Sequence, residues 1–157
     1  MSLEEKEGHK LCLVCSSGGH LFQMTCLEPF WSGKRRFWVS FPTEDAKFLL
    51  ADENVYWAHY PTNRSLKNLI KNLILAFKII SKEKPSVVVT TGAGVGVPFI
   101  VLGRIMGAKT VYVESITRNK ELSLSGKLVY RIVHKFLVQW PGLAERYSKA
   151  EYRGRVI

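Results

Sequence analysis

A doubly wound α/β domain, built on a mainly parallel sheet, is the fold this sequence predicts. Short apolar runs such as VVVT (87–90) and TVYV (110–113) lack the alternation of a half-exposed strand, as strands covered on both faces do. Between such runs lie segments with helical spacing, so strands and helices alternate along the chain. Glycine clusters follow two of the runs directly, where a doubly wound sheet opens its ligand crevice. At 157 residues and 46% hydrophobic content the chain suffices for one sizeable core, and no repeat or linker divides it.

A charged tail, residues 1–9, comes first and lacks the apolar segment of a signal peptide. The single domain then runs over 10–157. Its first strand, expected over 10–15, empties into Ser16-Ser17-Gly18-Gly19, and a helix over 20–30 starts at His20. Strands over 36–41 and 55–60 flank a helix over 44–50, and a long helix covers 65–81. The strand over 86–91 runs into TTGAGVGVP. Pro98 there suits the first turn of a helix over 97–106, since its missing N–H would be unpaired in any case. A strand over 110–113 follows, then Ser123 as N-cap of a helix over 123–133. The last elements are a strand over 135–139, ended by Pro141, and a helix over 143–147. Cys12 and Cys15 occupy the first strand at a spacing that points them to opposite faces, and no histidine stands at ligand spacing. No metal site is expected.

The two glycine turns carry the chemistry. Gly18 and Gly19 allow a sharp turn and a close approach of backbone N–H groups, and the helix start adds partial positive charge. Phosphate is the ligand that both favour, which makes Ser16, Ser17, Gly18 and Gly19 candidate phosphate- or acceptor-binding residues. A neutral His20 beside a phosphate has the chemistry of a general base; the plainer alternative is a tight turn with an exposed histidine. Thr91, Gly92, Gly94 and Gly96 form the second turn. A dinucleotide fingerprint has to be weighed here, because Glu114 stands about 20 residues downstream. The spacing is G-x-G-x-G, however, and a turn after the fourth strand leaves too little chain for two halves. No cofactor is expected. Glu114 and Ser115 end the fifth strand on the same sheet edge, and Arg118 follows in a loop where it can meet an anion.

The formal net charge of +10 calls for an anionic partner: nucleic acid, an acidic membrane surface or a phosphorylated ligand. No helix-turn-helix, zinc-finger or aromatic RNA-binding signature is present, so nucleic acid rests on charge alone. No apolar run is long enough to span a bilayer. Residues 64–84 hold six basic side chains against Glu83, a formal charge of about +5. Leu66, Leu69, Ile70, Leu73, Ile74 and Phe77 make one apolar stripe at helical spacing, with lysines beside it and Leu75 and Ile79 opposite. Two readings stand: a helix that merely covers the sheet, or one whose Lys67, Lys71, Leu75, Lys78 and Ile79 contact an anionic membrane surface.

Taken in order, the SSGGH turn, TTGAGVGVP, YVES, LSLSGKLVYR and FLVQWPGL resemble the asparagine-linked glycosylation protein 14 family over nearly the whole chain. The resemblance implies the N-terminal half of a GT-B glycosyltransferase, stopping at GRVI where a second domain would follow. It implies an acceptor-binding subunit, inactive alone, whose catalytic partner subunit supplies the C-terminal half and most of the nucleotide-sugar site. The pair would move N-acetylglucosamine, glucose or galactose onto a polyprenyl-diphosphate-linked acceptor at the cytoplasmic face of a membrane. His20 matches the histidine of the GGH turn in the related transferase of peptidoglycan synthesis, a candidate base. Eukaryotic members begin with a membrane anchor that this sequence lacks, so contact would be peripheral. The alternative is a non-catalytic scaffold that recruits and activates its partner.

Overall fold

The computed structural model describes residues 8–62 and 64–156; most of the charged tail lies outside them. Seven strands form one sheet: β1 (Lys10–Val14), β2 (Arg35–Ser40), β3 (Val55–Trp57), β4 (Val87–Thr90), β5 (Lys109–Val113), β6 (Lys135–Val138) and β7 (Ala150–Tyr152). Their spatial order is β3-β2-β1-β4-β5-β6-β7 and every pairing is parallel, with Leu13 beside both Trp38 and Val89. Each crossover carries helix: α1 (Gly19–Cys26) and α2 (Glu28–Trp31) before β2, α3 (Glu44–Leu49) before β3, and α4 (Leu66–Glu83) before β4. Beyond it, α5 (Gly96–Ile105), α6 (Leu124–Val129) and α7 (Pro141–Arg146) each precede the next strand.

Strand periodicity divides the core in two. Leu11, Leu13 and Cys15 face α1–α3 with Trp38, Val89, Leu21, Met24, Trp31 and Ala46. Cys12 and Val14 face α4–α7 with Phe37, Val88, Tyr112, Ile80, Phe99 and Leu143. The two thiols therefore point to opposite faces, and burial raises the pKa of each, that of Cys15 to about 12.

Several expectations are revised. The helix over 20–30 divides at Leu27, because Pro29, next to the start of α2, cannot donate the N–H that would continue the first helix. Pro141 opens α7 as well as following β6. The short strand β7 has too little apolar pattern to announce itself; pairing with β6 makes it a strand. The sheet also holds both wings of the doubly wound order, so the shortage of chain expected for two halves does not exist. What argues against a dinucleotide is the first turn, SSGGH, which lacks the G-x-G-x-x-G fingerprint.

Helix α4 is seated opposite to the membrane reading of its faces. Asn72, Ala76, Ile79 and Ile80 are buried, and Leu75 packs partly against the same core. Ile79, at 3% exposure, cannot meet a membrane, and this corrects that assignment. The wider stripe, from Leu66 to Phe77, stays 40–71% exposed. Asn72 supplies the reason for the choice. Its Oδ1 accepts from His59 N–H at 2.8 Å and its Nδ2 donates to His59 carbonyl at 2.9 Å, so the chain after β3 is pinned to the narrower face.

At the C-terminal end of α4, Glu83 pairs with Lys10 and accepts from the Tyr56 hydroxyl, which holds its carboxyl below the usual carboxylate range. A depressed folded-state pKa gives stability that is complete above that range and drains as pH falls through the folded value. Glu83→Gln is expected to lower unfolding free energy by about 1–2 kcal/mol near neutral pH. The difference from the unmodified protein should shrink toward acid in denaturant titrations at a series of pH values.

Candidate functional site

Strands β1 and β4 are neighbours, yet their chains leave for opposite faces, β1 into α1 and β4 into α5. A crevice must open between the two departing turns. Gly18, at φ 74°, makes the first turn possible, and its N–H donates to Asp45 Oδ2 at 3.0 Å. That amide is therefore already satisfied by a carboxylate. The neighbouring Thr43 hydroxyl and the hydrogen bond from the Gly18 amide hold the Asp45 carboxyl below its usual range.

Two reciprocal bonds join the turns. Thr91 Oγ1 donates to the His20 carbonyl at 2.6 Å, and His20 Nδ1 lies 2.8 Å from the Thr91 carbonyl. A carbonyl can only accept, so Nδ1 carries a proton and Nε2 is the nitrogen left to take another. Gly92, at φ 114°, lies flat against the ring: a Cβ there would stand 3.0 Å from His20 Cε1 and 3.3 Å from the Tyr112 hydroxyl. Gly96 lets α5 close on β4, since a Cβ would meet Thr90 Oγ1 at 2.4 Å.

The crevice widens into a cleft of about 890 Å³. Ser16, His20, Gly94, Ser115 and Arg118 all line it, five of the residues singled out from the sequence. Ser17, Gly18, Gly19, Thr91, Gly92, Gly96 and Glu114 do not; they build its frame. Sequence reasoning missed Thr117, and it counted Arg64 only toward the charge of its segment. Both line the cleft. Position in the sheet order was the missing signal, since the loops after β3 and β5 converge only once the strands are laid out. Lys67, Lys71 and Lys78 are exposed on α4, away from the cleft lining.

Glu114 is 1% exposed, and its carboxylate is occupied within the protein. Oε1 accepts from Ser115 N–H at 2.9 Å; Oε2 accepts from Ser123 N–H at 2.9 Å and from Ser123 Oγ at 3.0 Å. With its proton given to Glu114, Ser123 Oγ accepts from Gly126 N–H and, at 3.0 Å, from Tyr112. Burial and the charge of Glu114 push the Tyr112 phenol upward, so it remains protonated to donate. Gln139 extends the network: its Nε2 donates to Gln23 Oε1 and to the Glu114 carbonyl, and its Oε1 accepts from Val156 N–H.

Glu114 thus sets the loop that carries Ser115, Thr117 and Arg118. In Glu114→Gln an amide NH₂ faces donors where an oxygen accepted, which is expected to cost about 1–3 kcal/mol. Amide exchange at Ser115 and Ser123 should speed up more than exchange in β1, as read by hydrogen-exchange mass spectrometry.

Residues 58–156 match the family described as "Oligosaccharide biosynthesis protein Alg14 like". A human relative, "UDP-N-acetylglucosamine transferase subunit ALG14", is 32% identical over an alignment covering all of this chain and 87% of its own length. Among solved structures, MurG of Acinetobacter baumannii superposes with a TM-score of 0.73 at 18% identity, over 92% of this chain and 45% of its own. The UDP-N-acetylglucosamine 2-epimerase of Rickettsia bellii does so at 0.71 and 13%, over 93% and 44%. The chain spans just under half of either solved protein, and the likeness establishes the Rossmann-like half of the GT-B fold.

Proposed function

The chain belongs to the Alg14-like family of oligosaccharide biosynthesis proteins, and on that premise we propose that it is the acceptor-binding subunit of a two-component glycosyltransferase. A catalytic partner subunit supplies the other half of the GT-B cleft and holds the nucleotide-sugar donor. The human relative's name, a UDP-N-acetylglucosamine transferase subunit, supports both the partner and that donor. The acceptor is a saccharide on a polyprenyl diphosphate. The observation that carries this reading is the cleft at the β1–β4 switch point, where Thr91 holds His20 with one ring nitrogen free.

In this reading the acceptor hydroxyl gives its proton to His20 Nε2 as its oxygen attacks the anomeric carbon. The bond from that carbon to the nucleotide diphosphate breaks, the leaving group departs with the electron pair, and configuration inverts. Holding acceptor and base in one frame supplies the proximity, and the donor half supplies the rest. Transfer is expected only when the partner is present. His20→Ala should lower turnover of the assembled pair by about 10²–10⁴-fold without changing assembly. A near-normal rate would leave the chain as a recruiting scaffold.

The substrate's lipid keeps the reaction at a bilayer, and we place α4 against the cytoplasmic leaflet. No helix among the described residues is long and apolar enough to cross a membrane. The exposed stripe of α4, with Lys67, Lys71 and Lys78 along its edge, has the pattern of a helix lying in an anionic interface. Co-sedimentation with phosphatidylserine-containing vesicles should weaken with salt. It should weaken further when Ile70, Leu73 and Phe77 become serine, or when the three lysines become glutamine. Ile79→Val, a buried change, should leave vesicle binding unaltered.

A further inference from the structure

Two arginines reach the cleft from different wings of the sheet, Arg64 from the loop after β3 and Arg118 from the loop after β5. Both side chains are exposed, and among the described residues no carboxylate forms an ion pair with either. Arg64 adjoins an anchored segment. Its φ of 56° lies in the left-handed region that a residue with a side chain rarely adopts. Residues near it in the chain are anchored: Asn68 Nδ2 donates to the Pro61 carbonyl at 2.7 Å, Ser65 caps α4, Asn72 clamps His59, and Thr62 lies against Gly94. Pro61, Thr62 and Ser65 are thus tied down beside an exposed arginine that lines the cleft.

The cleft lining is of two kinds, polar and apolar. Ser16, Ser115 and Thr117 line it with the arginines, and so do Leu66 and Leu69 on α4 and Leu124 and Leu128 on α6. Those four leucines are 40–75% exposed, and the α4 pair continues directly into the exposed stripe. A forked guanidinium matches the oxygens of a phosphate group, and leucines match hydrocarbon.

We propose that Arg64 and Arg118 together hold the diphosphate of the acceptor in this cleft, with the first isoprenoid units lying against the leucines of α4 and α6 that share its lining. This rests on the lipid-diphosphate reading above and assigns the residues that would select such a ligand. Charge on the two arginines recognises the headgroup, and the leucines discriminate a prenylated diphosphate from a free one.

Isothermal titration of the full chain with farnesyl diphosphate and with inorganic pyrophosphate tests it. Farnesyl diphosphate should bind about tenfold or more tighter than pyrophosphate. Arg64→Gln and Arg118→Gln should each weaken both ligands by about tenfold. Leu66→Ser with Leu124→Ser should weaken farnesyl diphosphate alone, toward the pyrophosphate value. Circular dichroism melts of each variant verify folding. Unchanged binding by the arginine variants, with binding abolished by a cleft-blocking Ser16→Trp, would overturn the arginine pair and leave the acceptor reading standing. Equal affinity for the two ligands would overturn the role of the leucines. No binding of farnesyl diphosphate by the unmodified chain would overturn the arginine pair and the acceptor reading together.

Discussion

The paired hydrogen bonds between His20 and Thr91 set the geometry on which the rest of the site depends. At the carboxyl ends of β1 and β4 the sheet stops pairing, and backbone groups there need new partners. Thr91 Oγ1 satisfies the His20 carbonyl, and the His20 ring satisfies the Thr91 carbonyl, so the two turns are tied across the crevice. One constraint therefore does three things. It closes an open backbone account, orients the imidazole, and requires glycine at 92, where any Cβ would press on the ring. In the proposed reaction a ring fixed in this way would meet the acceptor without losing rotamer freedom at the moment of binding.

Beside that centre the network of Glu114, Ser123, Tyr112 and Gln139 satisfies its own polar groups. The Glu114 carboxylate accepts three hydrogen bonds, Ser123 and Tyr112 complete the local network, and Gln139 links it to α1 and the chain near Val156. A buried acid is tolerable only when its oxygens are occupied in this manner. Those bonds tie the Glu114 carboxylate to the loop bearing Ser115, Thr117 and Arg118 and leave it 1% exposed. Glu114 and Asn72 act alike, each a buried polar side chain that places a cleft-lining loop from below.

Helix α4 connects the cleft to the surroundings. Its narrow face completes the core and its broad face is left to solvent, so six large apolar side chains are unsatisfied by the chain itself. Their exposure is the energetic reason to propose a bilayer there. Since Leu66 and Leu69 belong both to the cleft and to the stripe, a lipid-bound acceptor would pass from membrane to base along continuous apolar surface.

The sequence by itself determined the architecture and the two turns. Short β-branched apolar runs such as VVVT suit strands buried on both faces, and glycines directly after them suit sharp turns, so alternation and crevice were both legible. Ser16, His20, Gly94, Ser115 and Arg118 were legible as cleft-lining candidates because they follow strands, and a parallel sheet gathers such turns on one edge. Tertiary structure decided what depends on partners distant in sequence. Helical periodicity detects that α4 has two apolar faces, but the broader one looks like the core, and Asn72 looks like solvent exposure. Only the His59 backbone, unpaired until Asn72 reaches it, makes the narrow face the buried one. Glu114 likewise looks like a ligand-binding acid until Ser123 folds back over it. Arg64 looks like one more surface charge until the sheet order carries the loop after β3 across from the loop after β5. In each case periodicity reports a side chain's direction, while its partner is fixed by the meeting of segments far apart in the chain.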